Sequence, residues 1–227
     1  MEKERNQGWM IGQAPCIVVA DGLFPSLPFL PDLLREAKRV IACDGAVVTL
    51  LAHGVTPDAI VGDMDSIPEE LKERFADRIH TYSEQETNDL TKAVHFAKEA
   101  GEKELLIVGA TGLREDHTLG NISLLADYGP LFDRVEMLTD WGVFMPTNRT
   151  ATFDSYPGQQ VSIFSLTPDT KITTEGLRWP LQERGLNSWW QGTLNESLAD
   201  QFTIHLSSPG RLIVYRLLQS SQNKIKI

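Results

Sequence analysis

The feature that most constrains this chain is a change of rhythm near Pro146-Thr147-Asn148. Before it, short apolar runs alternate with helix-like stretches. After it, β-forming residues dominate, punctuated by turns. The apolar runs fall at 16–20, 39–43, 59–62, 79–82, 105–109 and 134–139, and the helical patterns at 30–38, 46–53, 69–75, 88–100 and 117–128. Such alternation predicts a parallel sheet flanked by helices, an α/β architecture. The clearest helix reads TNDLTKAVHFAKEAG. Thr87 or Asn88 caps it, Leu90, Ala93, Val94 and Ala97 form one face, and Gly101 ends it. Residues 149–215 read as an antiparallel β unit, a small sandwich. Two domains are expected, 1–146 and 147–227.

Composition narrows the function. With 21 Lys+Arg against 31 Asp+Glu, the formal charge is −10, a surface that repels nucleic-acid phosphates. Cys16 and Cys43 lie inside apolar runs and read as buried thiols, not a disulfide framework. No stretch approaches the ~20 apolar residues of a membrane span. The start MEKERNQGWM is charged and has no secretory core, so a cytoplasmic location is expected. The tail SSQNKIKI is polar and expected to fray.

The acidic residues carry the chemistry. Asp44 in ACDGA and Asp63 in VGDMDSI follow predicted strands, and Asp89 opens a predicted helix. Ligands of parallel α/β sheets bind beyond the carboxyl ends of the strands. If GDMD is extended, Asp63 and Asp65 share one side and Met64 takes the other. Carboxylates converging on one crevice repel each other and any polyphosphate unless a divalent cation intervenes, and all-oxygen ligation suits Mg²⁺. Taken singly, each has a bland reading: a turn at Asp44-Gly45, a solvated loop at Asp63-Met64-Asp65, a helix start at Asp89.

A second constellation is GATGLREDH after the run ELLIVGA. Gly109 and Gly112 permit close backbone turns, the following helix start presents free N–H groups to an anion, and Arg114 offers a bidentate phosphate contact. The stretch is neither a P-loop nor a dinucleotide fingerprint, and an ordinary strand-to-helix turn would read the same way. Asp116 reads equally as a helix-cap acid. Downstream, Trp179, Trp189 and Trp190 stand near GTLNES, which contains Asn195. Aromatic faces stack on cationic heterocycles, and they also fill cores.

Together, ACDGA, PDAIVGDMDSI, TNDLTKAV and GATGLREDHTLGN resemble, in order and spacing, the segments of the thiamine pyrophosphokinase family. The resemblance implies a Rossmann-like catalytic domain followed by a β-sandwich that helps bind thiamine. It implies Mg²⁺, ATP as co-substrate, and a homodimer whose sites are shared between subunits. Thiamine's alcohol would attack the β-phosphorus of ATP and AMP would leave. By the same resemblance Asp44, Asp63, Asp65 and Asp89 are the acidic active-site positions, with Asp63, Asp65 and Asp89 in the metal shell. Asp44, Gly45, Gln85, Gly109, Gly112 and Arg114 would face the nucleotide, and Asp116 and Asn195 the thiamine. Two departures stand out. The family's Thr-Asp is Thr87-Asn88-Asp89 here, and its Ser-Asn-Glu is Leu194-Asn195-Glu196. The rival readings are a pyrophosphokinase for another alcohol, such as a pterin, and a non-catalytic nucleotide or thiamine sensor.

Overall fold

The computed structural model describes residues 15–84 and 86–218, which divide into two compact units, 15–140 and 141–218. The N-terminal decapeptide, the tail SSQNKIKI and Gln85 lie outside the described residues.

In the first unit, six strands alternate with five helices: β1 (Cys16–Val19), α1 (Leu30–Arg35), β2 (Arg39–Cys43), α2 (Ala46–Ala52), β3 (Ala59–Gly62), α3 (Glu69–Arg74), β4 (Ile79–Thr81), α4 (Asp89–Glu99), β5 (Glu104–Val108), α5 (Glu115–Tyr128) and β6 (Arg134–Leu138). The strands pair in parallel, in the order β6-β5-β1-β2-β3-β4. The chain therefore winds outward from β1 to β4 and then returns to the other side of β1. Loops after β1 and β5 face each other at that reversal, where open α/β sheets hold ligands. Every residue of β1 and β3 is buried, as expected of strands covered on both faces. Ile17, Ile41, Ile60 and Ile107 are fully buried, each contributing about 1.5–3 kcal/mol of burial free energy. Helix α4 follows its sequence pattern: Asn88 is the N-cap, accepting from Thr91 N at 2.9 Å, and Leu90, Ala93, Val94 and Ala97 face inward. Helix α5 begins at Glu115, two residues before the expected start, so Asp116 and His117 sit in its first turn.

The second unit is antiparallel throughout. β7 (Gly142–Thr147), β9 (Gln160–Ser165), β11 (Asn195–Glu196) and β13 (Leu212–Leu217) pair in the order β11-β9-β13-β7. β8 (Ala151–Asp154), β10 (Ile172–Glu175) and β12 (Gln201–Leu206) form a three-stranded sheet in the order β10-β12-β8. Burial alternates along β9 and over the inner part of β12, and Phe153 stacks on Phe202 at 5.2 Å. The unit begins earlier than the expected 146/147 boundary because β7 pairs with β13 along its whole length.

Candidate active site

The carboxyl ends of β2 and β3 and the start of α4 bring three carboxylates together. Asp44 follows β2 in the left-handed region, at φ 39°, which Asp tolerates better than most residues. Its backbone N donates to Val61 O at 2.9 Å, which turns the side chain into the crevice beside β3. Asp63 follows β3, and Asp89 is the first residue of α4. One carboxylate oxygen from each of Asp44, Asp63 and Asp89 lies within 4.8 Å of the other two. Gly62 makes room for them: a Cβ there would stand 3.0 Å from Asp44 Cβ and 3.3 Å from Asp89 Cγ.

The three carboxylates concentrate negative charge in a partly buried crevice. Asp44 is only 5% exposed. Its Oδ2 accepts from Ser66 N at 3.1 Å, whereas its Oδ1 is buried with no partner among the described residues. Burial pushes the Asp44 pKa up, the Ser66 hydrogen bonds oppose that, and the charges of Asp89 and Asp63 push it further up. A buried carboxylate oxygen with no donor is costly, and a cation ligated by oxygen satisfies it. Three carboxylates fit a hard divalent ion of the Mg²⁺ type, which takes few protein ligands and keeps several waters.

Asp65 does not join this group. Met64 sits at φ 70°, so the segment turns instead of extending. Asp65 is exposed, and its N donates to Asp63 Oδ1 at 3.1 Å. Two residues the sequence did not single out border the group. Asp21, just beyond β1, is exposed as a residue, yet its carboxylate turns inward. Oδ2 lies 2.6 Å from where a Cβ on Gly45 would be, so the carboxylate end packs directly over Gly45. Burial, and then the charge of Asp44, raise the Asp21 pKa. Its sequence signal was present, since VVADG has the same apolar-strand-then-Asp-Gly form as IACDG. The other is Lys92, whose side chain is 4% exposed and whose Nζ donates to Asp89 Oδ1 at 3.0 Å. Burial works to lower its pKa, but Asp89, Glu84 and Asp63 carry it above the ordinary value.

The glycine loop lies at the sheet's reversal. Gly22 N donates to Gly109 O at 2.7 Å and Leu23 N to Thr111 O at 2.8 Å, zipping the loops after β1 and β5 together. Gly109 has φ 70°, and a Cβ would meet Ala20 O at 2.6 Å, so only glycine closes this approach. Gly112, at φ 92°, would place a Cβ 2.7 Å from Leu23 Cβ. Arg114 is committed to Asp116 through Nε at 3.1 Å and Nη2 at 2.6 Å, with both side chains exposed. That guanidinium, together with the His117 backbone N–H, holds Asp116 down at about 2. Two asparagines tie the loop to the carboxylate helix. Asn121 Nδ2 donates to Ala110 O at 2.9 Å, and Asn88 Nδ2 donates to Asn121 Oδ1 at 3.0 Å.

In the second unit, Asn195 is 8% exposed and its amide is engaged with backbone. Nδ2 donates to Trp179 O at 2.7 Å, while Oδ1 accepts from Trp179 N at 3.1 Å and Glu196 N at 2.9 Å. Asn195 thus fixes the loop segment carrying Trp179. The rings of Trp179 and Trp190 are exposed, Trp190 at 73%, whereas Trp189 packs edge-on against Phe164. Leu194 is exposed at φ 60°.

Fold and site together define a class: a parallel α/β unit with an acidic, cation-fitting crevice at its strand ends, followed by an antiparallel β unit. Comparison with known proteins narrows it. Residues 30–138 match the family described as thiamin pyrophosphokinase, catalytic domain, and residues 142–215 match thiamin pyrophosphokinase, substrate-binding domain. Thiamine pyrophosphokinase 1 of Oryza sativa subsp. japonica is 30% identical over 174 residues, which cover 69% of this chain and 64% of that protein. Thiamine pyrophosphokinase of Bacillus subtilis is 38% identical over 112 residues, 48% of this chain and 52% of that protein. The chain thus spans between half and two thirds of the length of these two relatives. The crystal structure of thiamine pyrophosphokinase from Bacillus subtilis superposes with a TM-score of 0.73 at 26% identity, covering 90% of this chain and all of that one. The chain belongs to the thiamine pyrophosphokinase family.

Among the described residues, no helix is long and apolar enough to cross a membrane.

Proposed function

We propose that the protein is an ATP-dependent diphosphotransferase that converts thiamine to thiamine pyrophosphate and releases AMP. The observation that carries this reading is the orphaned buried oxygen of Asp44 among three converged carboxylates, in a chain of this family. The thiamine hydroxyl oxygen bonds to the β-phosphorus of ATP. The bond from that phosphorus to the oxygen bridging to the α-phosphate breaks, and the hydroxyl proton is lost. Such transfers are catalysed by positioning and charge neutralisation more than by covalent chemistry.

Asp44, Asp63 and Asp89 would hold Mg²⁺, and Asp65 would support the same ion. Bound Mg²⁺ supplies neutralisation of phosphoryl charge. Gly109 and Gly112 let the backbone approach the triphosphate at the reversal of the sheet, with Gly45 as a further nucleotide contact, and the family pattern adds Gln85 to the same role. Arg114 exchanges its Asp116 partner for a phosphate, which frees Asp116 for the aminopyrimidine amine. In the β unit, read as a sandwich that follows a Rossmann-like domain in the chain, Asn195 positions Trp179. The exposed rings of Trp179 and Trp190 offer faces to a cationic thiazolium. The active form is read as a homodimer with sites shared between subunits, as in the family pattern. The test uses ATP labelled at the β-phosphorus, thiamine and Mg²⁺. Label recovered in thiamine pyrophosphate supports the reading, and label retained in ADP, with thiamine monophosphate formed, refutes it.

A further inference from the structure

Lys92 lies on α4 one turn beyond Asp89, inside the acidic crevice. An ammonium carries three N–H donors. Among the described residues, one of those donors is used, on Asp89 Oδ1 at 3.0 Å, and the side chain is buried. A buried cation with two spare donors, beside Asp89, Asp63 and Glu84, is an expensive arrangement unless a ligand completes it.

Taking Asp44, Asp63 and Asp89 as the cation site, we propose that Lys92 is the site's built-in counter-cation and its third-party phosphate ligand. Before ligand arrives, the ammonium offsets the mutual repulsion of the three carboxylates and holds Asp89 in place. This lowers the affinity of the crevice for a divalent ion alone. When the ion arrives with a triphosphate, the two unused N–H groups donate to phosphoryl oxygens, which a lone cation cannot offer them. Lys92 thereby makes the site select the metal–nucleotide complex over the free metal. A charge with no role beyond packing would leave the two affinities moving together.

The test replaces Lys92 by Met, which keeps the length of the stem and removes charge and donors. Mn²⁺ binding is measured by titration calorimetry, first alone and then with α,β-methylene-ATP, whose α–β bridge cannot be cleaved. K92M should bind Mn²⁺ alone about fivefold more tightly, the size expected of one lost partly screened ion contact. It should bind the Mn²⁺–analogue complex about tenfold more weakly, the loss of charge-assisted phosphate bonds. Unchanged or weaker binding of Mn²⁺ alone overturns the inference, and so does unchanged binding of the analogue. If K92M fails to fold by circular dichroism, Lys92→Gln, whose amide keeps two N–H donors on a shorter stem and loses the charge, is put to the same two titrations. Wild-type protein that binds no Mn²⁺ strikes the carboxylate reading itself, whereas a binding wild type with an unshifted variant strikes this inference alone.

Discussion

Asn195→Ala separates two roles for one side chain. The amide makes three hydrogen bonds, to Trp179 O, Trp179 N and Glu196 N, at 2.7, 3.1 and 2.9 Å, from a position 8% exposed. A neutral hydrogen bond contributes about 0.5–1.5 kcal/mol net, so the three sum to about 1.5–4.5 kcal/mol, about 3 kcal/mol at mid-range. Two features hold the loss near that figure. Arg178 N still donates to Glu196 O at 2.9 Å, and the Leu177–Ser197 bridge persists, so the segment stays attached. For a chain of this size, about 3 kcal/mol corresponds to about 6–12 °C in Tm. Trp179 should also lose its fixed orientation, raising KM for thiamine about tenfold or more while leaving KM for ATP near wild type. The assay pairs a thermal melt with initial rates at varied thiamine and at varied ATP. A melt within 1–2 °C of wild type, roughly the scatter of such measurements, would refute the positioning argument, because the three bonds would then carry no weight. A loss of stability with unchanged KM for thiamine would leave Asn195 purely structural.

Three further outcomes follow from the crevice. Gly62→Ala places a Cβ 3.0 Å from Asp44 Cβ and 3.3 Å from Asp89 Cγ, so it should spread the carboxylates and weaken Mn²⁺ binding at least about tenfold, measured by calorimetry. Wild-type affinity would mean that the three carboxylates do not hold the ion together. Asp65→Asn, on a residue outside the three-carboxylate group, should reduce turnover less than Asp63→Asn does, and the reverse order in a rate assay would make Asp65 the principal ligand. The third is a pH dependence. Asp44 has a raised pKa in the fold, so its contribution to stability is present below its ordinary carboxylate value and is lost as pH rises through the raised one. The cation-free protein is therefore burdened at neutral pH, and the Tm gain on adding Mg²⁺ should be larger near pH 7 than near pH 5; equal gains at both would count against it.

Much of the α/β unit was legible because buried parallel strands read as short continuous apolar runs, and residues 39–43 and 59–62 matched β2 and β3 to the residue. Asp44 and Asp63 could be placed at the site because each directly follows such a run. What escaped depends on contacts distant in sequence or on local backbone. Asp21 meets Gly45 only because β1 and β2 are neighbours. Met64 adopts a left-handed conformation that no propensity favours, which upset the alternation expected of Asp63 and Asp65. Lys92 carries no signal of its own in the sequence, and only the fold reveals that it is buried against Asp89, three residues earlier. Arg114 reads as a phosphate ligand, but a nearby carboxylate two residues on claims its fork. β7 was missed because Pro146 looks like a terminator, whereas the strand runs through it opposite Ile213. Asn195 was picked out by its motif, and only the fold reveals that its amide serves the backbone of Trp179.

On this reading the three carboxylates gather the ion for pyrophosphoryl transfer to thiamine. The most direct test is one chromatographic time course of thiamine, ATP and Mg²⁺ with wild-type protein and with Asp89→Asn. The account predicts thiamine pyrophosphate and AMP appearing in equal amounts with wild type, and a loss of at least about a hundredfold in rate with Asp89→Asn in a protein that still melts cooperatively. Formation of ADP in place of AMP, or an Asp89→Asn protein turning over near the wild-type rate, would contradict it.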